Sequence, residues 1–350
     1  MTDCATIGID IGGTKTLIVL FDEKFGAIEE FKFKTRPDKG RKEFLQNLSD
    51  GISILLRKVK KRRLLLAGAG AGCSGKIDGR KGIFQESHNI PFLKGYPLAE
   101  HLAEMTGTEV LLANDVQMGL HGEHQLGAAA GLRHVLGIFF GTGIGGAIII
   151  DGKLHVGASG AAGEIGHCLV SPMGPLTGSE RQGVLDEFVS RQAIAGAAAA
   201  ISARQWAPNL FKAAGADVTR IHSGTLADSI RAGDKKIEEM VRSRARMAGL
   251  ALSNFVDFLS PEMVVLGGGL VEAMPELFLK EVGAGILEHT VPCVRKTTRV
   301  VLAALKGRAV AAGAAKMAWD RFKNGKPHPP SPGRPPASPR SAARKALRPR

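Results

Sequence analysis

Val135-Leu136-Gly137-Ile138-Phe139-Phe140 runs into Gly141-Thr142-Gly143-Ile144-Gly145-Gly146 and leaves through Ala147-Ile148-Ile149-Ile150. Apolar, β-rich residues on both sides of a glycine cluster predict a strand, a tight turn and a returning strand. The same pattern opens the chain, where residues 6–11 and 16–21 flank Gly12-Gly13-Thr14-Lys15. One supersecondary unit present twice predicts a duplicated α/β domain with a cleft between the halves, and clefts of that kind hold ligands.

Working outward, residues 28–34 alternate apolar and polar side chains as a third strand, which makes the opening an antiparallel meander. Phe44, Leu45, Leu48, Ile52, Leu55, Leu56 and Val59 recur at helical spacing over residues 43–59, and residues 64–67 read as the next strand. Residues 68–79 read as a glycine-rich loop, 98–106 as a helix, and 109–113 as a strand that ends at Asn114-Asp115. Beyond the second hairpin come a long helix over 238–259, a buried strand over 263–266, a third tight turn at Gly267-Gly268-Gly269, a strand over 299–305 and a terminal helix over 307–322. These elements divide the chain into an N-terminal lobe of residues 1–120 and a C-terminal lobe of 121–322, whose terminal helix is free to pack back on the first lobe. The remainder, 323–350, has 8 Pro among 28 residues with Ser, Arg and Lys, a composition that cannot bury enough apolar area to fold alone.

Composition bounds the function classes. The chain has 350 residues, 44% hydrophobic and 23% charged, enough apolar material for about two packed domains. Aromatics make up only 5%, which argues against single-strand nucleic-acid binding by base stacking. The formal net charge of +14 misleads until it is located: 8 Lys and Arg with no acid lie in 323–350, leaving +6 for the rest. A second basic run over 57–63 is either a solvated helix end, favoured by the dipole, or a binding patch. Cys4, Cys73, Cys168 and Cys293 form no CxxC pair and point to a reducing, cytoplasmic setting. Asp3 and Asp10 interrupt any signal-peptide core and no apolar stretch reaches 18 residues, so neither export nor a membrane span is expected.

In a P-loop the glycines lead from a strand into a helix and end in GK[ST]; here Asp10-Ile11-Gly12-Gly13-Thr14-Lys15 leads into another strand. The turn is therefore either an ordinary hairpin or a phosphate cradle of backbone N–H groups with the Thr14 hydroxyl as donor and Lys15 as charge. Asp10 at the strand end is placed to orient Mg²⁺ through water. Two further glycine turns, at 141–146 and 267–269, favour the phosphate reading, since three around one cleft are hard to explain by folding alone. Asn114-Asp115 at a strand end is either a helix N-cap or a site for a general base.

Taken together, Gly141 to Gly146, Asp151-Gly152 and Gly157 through Gly163-Glu164-Ile165-Gly166-His167 resemble the ROK family (repressor, open reading frame, kinase) of sugar kinases and regulators, with a likeness running over residues 6–319. The resemblance implies duplicated ribonuclease-H-like lobes of the actin and hexokinase superfamily with an interlobe cleft. It implies that residues 10–16, with Asp10, Gly12, Gly13, Thr14 and Lys15, are a first phosphate segment, that Gly141, Thr142, Gly143 and Gly145 are a second, and that Gly267, Gly268 and Gly269 form the adenosine segment. Asn114 matches the family's sugar-binding Asn and Asp115 its catalytic Asp. Glu164 and His167 match ligands of sugar hydroxyls, Asp186 stands where the family usually has Glu, and Gly72 and Gly75 match a loop lying against the sugar.

The activity implied is ATP-dependent phosphorylation of a hexose, glucose first, with Mg²⁺ accompanying ATP and a homodimer as the default assembly. Another sugar (an N-acylmannosamine, fructose or allose) and a sugar-sensing regulator are the competing readings. Regulators of the family carry a helix-turn-helix module before the glycine hairpin, and with five residues ahead of Thr6 no nucleic-acid partner is expected. The family's His also serves a zinc site with CxCGxxGC, which here reads Thr177-Gly178-Ser179-Glu180-Arg181-Gln182-Gly183-Val184. Thr, Ser and Val supply no thiolates, and His167 with Cys168 falls short of four ligands, so no structural zinc is expected. Packing of Leu185 and Phe188 is left to hold the loop that presents Asp186.

Overall fold

The computed structural model describes residues 3–87, 89–171 and 182–325. Its first sheet is built from β1 (Cys4–Ile11), β2 (Lys15–Asp22), β3 (Ala27–Lys34), β4 (Leu65–Cys73) and, after the small hairpin β5 (Lys76–Asp78) and β6 (Ile83–Glu86), β7 (Val110–Asn114). The second comprises β8 (Val135–Phe140), β9 (Ile144–Ile150), β10 (Lys153–His155), β11 (Met263–Gly267) and β12 (Arg299–Leu302). Strand order is β3-β2-β1-β4-β7 in one and β10-β9-β8-β11-β12 in the other. In each, the first two strands pair antiparallel and the last three run parallel, so the duplicated lobe holds at the level of register as well as order.

Helices α1 (Gly40–Arg62) and α2 (Leu98–Thr106) bury Phe44, Leu48, Ile52, Leu55, Leu98 and Leu102 in one core with Ile7, Ile9, Ile18 and Leu20. α1 ends with Lys60, Lys61 and Arg62 in its last turn and Arg63 in the left-handed region (φ 56°), so the basic run is a helix terminus. After α3 (Asp115–Leu126), the second half carries α4 (Asp186–Val189), α5 (Arg191–Ala203), α6 (Pro208–Ala214), α7 (Ser223–Arg231), α8 (Lys235–Leu259), α9 (Gly269–Ala273), α10 (Pro275–His289) and α11 (Pro292–Arg295), with α12 (Ala309–Lys323) last. Leu136, Ile138, Phe140, Leu252, Val256, Leu266, Phe278 and Val282 are among the residues of that half's core.

Sequence and structure part company at residues 68–79, expected as a loop. Leu65 to Cys73 is instead the longest strand of the first sheet, with only Ser74 and Gly75 separating it from β5. The alternation of Gly and Ala explains it. Ala69, Ala71 and Cys73 face the core under α1 and α2, whereas Gly68, Gly70 and Gly72 face α12. A Cβ on Gly70 would lie 2.1 Å from the Ala314 carbonyl oxygen, and one on Gly8 of β1 would lie 1.9 Å from that of Ala311. Glycine here is the space into which a helix backbone fits.

The pair α3 and α12 meets as closely: a Cβ on Gly313 would lie 2.0 Å from the Met118 carbonyl oxygen, and one on Gly122 2.4 Å from that of Ala309. Leu120 of α3 joins Val135, Ala147, Ile149 and Val265 of the second sheet, while Ala311, Ala312 and Ala315 of α12 join Leu17, Val19 and Phe21 of the first. The two helices therefore form the layer linking the sheets, and the division expected at residue 120 falls inside α3. Residues 326–350, most of the basic tail, lie outside the described residues, and no helix of the described part is long and apolar enough to cross a membrane.

Candidate active site

In open sheets, ligands sit beyond the carboxyl ends of parallel strands, where side chains leave the sheet and helix N-termini begin. At those ends of the first sheet Asp10 is in register with Gly72, and Cys73 with Asn114. The hairpin of Gly12, Gly13 and Thr14 is closed by Gly12 N–H donating to the Lys15 carbonyl at 3.1 Å. Thr35, buried, pins it by donating its hydroxyl to the Gly12 carbonyl at 2.6 Å. Neither glycine needs the left-handed region, and Gly13 is required by space: a Cβ there would lie 2.6 Å from the Cβ of Asn89. Thr14 and Lys15 are exposed at the tip.

Asn114 and Asp115 serve the two alternatives at once. Asn114 is the N-cap of α3, its Oδ1 accepting from the N–H groups of Val116 at 2.9 Å and Gln117 at 3.2 Å. Its Nδ2 donates to the Gly75 carbonyl at 3.2 Å, which leaves one N–H for a ligand. Capping by Asn114 frees Asp115, whose carboxylate accepts from Val116 N–H and from the Ser74 hydroxyl. Desolvation outweighs these bonds and pushes the Asp115 pKa up to about 6. Desolvation, then the nearby charge of Asp115, pushes Asp10 up to about 7, with Lys15 opposing. Cys73, buried between them, has its thiol pushed well up, chiefly by burial, and is no nucleophile.

Across the cleft, Gly141 N–H donates to the Gly143 carbonyl at 2.8 Å to close the second turn. Gly145, expected in the turn, is the second residue of β9, packed where a Cβ would lie 2.4 Å from Val116 Cγ2 of α3. Gly267 ends β11, Gly268 has φ +89° and Gly269 opens α9. A Cβ on Gly268 would lie 2.6 Å from the Phe140 carbonyl oxygen, so this bend sits directly on the end of β8 beside the second turn. Only here does a glycine of the three segments need the left-handed region.

Glu164 and His167 are exposed at the rim, 4.0 Å apart, with Ile165 and Gly166 buried between them. Asp186 opens α4 with its Oδ1 accepting from Ile144 N–H at 2.5 Å, so one oxygen is committed to the second turn. Burial raises its pKa, while His167 lowers it and Glu164 raises it. Leu185 is buried and Phe188 packs against the same core. Gly72, expected in a loop, lies buried in β4 with its Cα facing Val310 and Asp115, whereas Gly75 does lie at the bend before β5.

Thr177 and Ser179 of the missing thiolate set lie outside the described residues. Val184 is buried and bridges Leu169, and among the described residues no three His, Cys, Asp or Glu side chains gather as a metal would need. The donor set does not fit zinc. Sequence reasoning passed over Thr35, Asn89 and Arg191, whose guanidinium donates to Thr142 Oγ1 at 3.1 Å. Threonine shortly before a single 3-10 turn (Pro37–Lys39) and arginine after a serine carry no local motif; only proximity exposes them. A cavity of about 460 Å³ lined by Gly68, Glu109 and Arg321 lies at the opposite ends of β4 and β7, away from all these groups.

The family model described as the ROK family matches residues 6–321. A glucokinase of Thermotoga maritima is 29% identical over 319 residues, spanning 90% of this chain and 98% of its own. An N-acetylmannosamine kinase of Citrobacter koseri is 27% identical over 272 residues, 77% of this chain and 85% of its own. The crystal structure of a ROK family glucokinase from Streptomyces griseus in complex with glucose and AMPPNP superposes with a TM-score of 0.78 at 28% identity, covering 90% of this chain and 99% of that one. Two sheets of one strand order, joined by α3 and α12 and bearing glycine segments at corresponding ends, have the actin and hexokinase architecture, and with a match along nearly its whole folded length the chain belongs to the ROK family.

Proposed function

We propose that the protein transfers the γ-phosphoryl group of ATP to a hydroxyl of a hexose, converting glucose to glucose 6-phosphate. The observation that carries this reading is Asp115: a half-buried carboxyl held near neutrality, oriented by Ser74 and Val116, between one glycine hairpin and a rim of sugar-compatible side chains. A sugar hydroxyl is a poor nucleophile and needs a base matched to the working pH. Asp115 accepts the hydroxyl proton as the oxygen attacks the γ-phosphorus, and ADP departs with the electron pair of the broken P–O bond.

In this reading Asn114, through its unspent N–H, Glu164, His167 and the second oxygen of Asp186 receive sugar hydroxyls, with Gly75 and the end of β4 as floor. Gly12, Gly13, Thr14 and Lys15 on one side and Gly141, Thr142 and Gly143 on the other take the phosphates; Gly267 to Gly269 take the nucleoside. Asp10 fits a role toward Mg²⁺, since a cation nearby favours the charged form that desolvation resists. That ion, when bound with ATP, supplies charge neutralisation on the phosphates. Residues 1–120 and 121–322 act as the two lobes, and the protein works in the cytoplasm as a homodimer without a nucleic-acid partner.

The N-acetylmannosamine kinase relative supports N-acylated hexosamines as the second substrate class. The test is purified protein with Mg²⁺, ATP and a panel of hexoses in a coupled ADP-release assay. Glucose giving the highest kcat/KM supports the reading; an N-acylhexosamine giving it selects the second, and no ADP release with any sugar overturns both.

A further inference from the structure

Arg191 is an unusual choice for the first residue of α5, because the positive end of a helix dipole disfavours a cation there. The helix amides at this end are already spent. Arg191 N–H donates to the Gly141 carbonyl at 3.2 Å, Gln192 N–H to the Thr142 carbonyl at 3.4 Å, and Ala193 N–H to Ser190 Oγ at 3.2 Å. The first two of these bonds fasten α5 to the second glycine turn. The guanidinium reaches the same turn and donates to Thr142 Oγ1.

A guanidinium has five N–H donors, and the Thr142 hydroxyl takes one. Arg191 is half-buried, yet no carboxylate lies within ion-pair distance of it among the described residues. Asp186, which opens the helix before α5, has its Oδ1 bound to Ile144 N–H, and the surrounding charges that act on it are His167, Glu164 and Glu187. Desolvation alone weakens the hold of Arg191 on its proton, with no anion in opposition. Half-buried arginines are ordinarily paired with a carboxylate or phosphate in bidentate fashion.

Resting on the kinase reading, we propose that Arg191 binds the terminal phosphates of the nucleotide, so that the second turn supplies a positive charge as well as the Thr142 hydroxyl. Lys15 would then face it from the first hairpin, one cation from each lobe. Glycine turns bind phosphate through neutral amides; a guanidinium beside one adds charge and a fixed fork.

The test is equilibrium binding of AMPPNP, ADP and adenosine to wild type, Arg191→Gln, Arg191→Lys, Thr142→Val and the double variant Arg191→Gln/Thr142→Val. Arg191→Gln is expected to weaken AMPPNP binding about 10- to 100-fold, the range for a lost charged hydrogen bond. Its adenosine and glucose affinities should stay at the wild-type values, Arg191→Lys should recover part of the loss, and the thermal midpoint should not fall. Unchanged AMPPNP affinity, or an equal loss for adenosine, overturns the assignment. A double variant no weaker than Thr142→Val alone also overturns it, by showing that Arg191 acts only through that hydroxyl. Wild type that binds AMPPNP by way of Arg191 but phosphorylates no sugar would refute the kinase reading alone.

Discussion

The two halves share strand order and register yet present opposite chemistry at corresponding ends. Beyond β1, β4 and β7 stand two carboxyls, Asp10 and Asp115, both raised by desolvation. Beyond β8 and β11 stand glycines, Thr142 and the guanidinium of Arg191, which pairs with no carboxylate among the described residues, and Asp186 there is tied to a backbone N–H. A common hairpin supplies phosphate-compatible backbone twice; the side chains at the strand ends then make one half basic in the Brønsted sense and the other receptive to anions. Fold symmetry and functional asymmetry therefore reside in different atoms, backbone for the first and a handful of terminal side chains for the second.

The packing side of that comparison breaks with the largest effect. Gly70→Ala places a methyl 2.1 Å from a backbone oxygen of α12, and overpacking against backbone is expected to destabilise by about 3 kcal/mol. In a chain of this size the thermal midpoint should drop by roughly 4–5 °C. Thr142→Ala should raise the KM for ATP roughly tenfold while leaving the KM for hexose near its wild-type value, as expected when a hydrogen bond to a charged group is lost. A shift confined to the hexose KM would reverse the roles of the two halves.

The carboxyl pair gives a pH dependence of defined sign. Activity needs Asp115 ionised, so kcat/KM should fall as pH is lowered through about 6. Stability runs the other way. Both folded pKa values lie above the unfolded value, so the native state holds extra protons between about pH 4 and 7, and stability from these groups falls as pH rises through that window. Asp10→Asn should therefore raise the thermal midpoint relative to wild type at pH 8 and lose that advantage near pH 4. The smallest effect belongs to Gly196 in the exposed face of α5, where nothing lies within 4 Å of an added Cβ: Gly196→Ala should stabilise by about 0.5–1 kcal/mol. Elemental analysis of the purified protein should find no stoichiometric zinc, because Thr177, Ser179 and Val184 cannot coordinate it.

Much of the fold was legible because strand and helix periodicity is local. The strand of residues 135–140, the helix of 98–106 and the strand ending at Asn114 stand where their patterns placed them. Residues 68–73 were illegible because glycine signals a bend by itself and close packing only when the partner helix, far along the chain at Ala309–Lys323, is in view. The same limit governs the site. Asp10 and Asp115 carry motifs and could be singled out, whereas the buried Thr35 that pins the first hairpin and Arg191 beside the second turn are defined by what they touch. Nor did the dipeptide Asn114-Asp115 reveal that Asn114 is the N-cap, accepting from both Val116 and Gln117 N–H, an arrangement visible only in the direction of Oδ1.

Turnover of Asp115→Asn under saturating hexose and Mg·ATP, measured together with its hexose affinity by calorimetry, tests the central claim most directly. Loss of a general base predicts turnover lower by about two to four orders of magnitude with hexose affinity and folding preserved. Turnover within twofold of wild type, at unchanged hexose affinity, would contradict the claim and remove Asp115 from the transfer step.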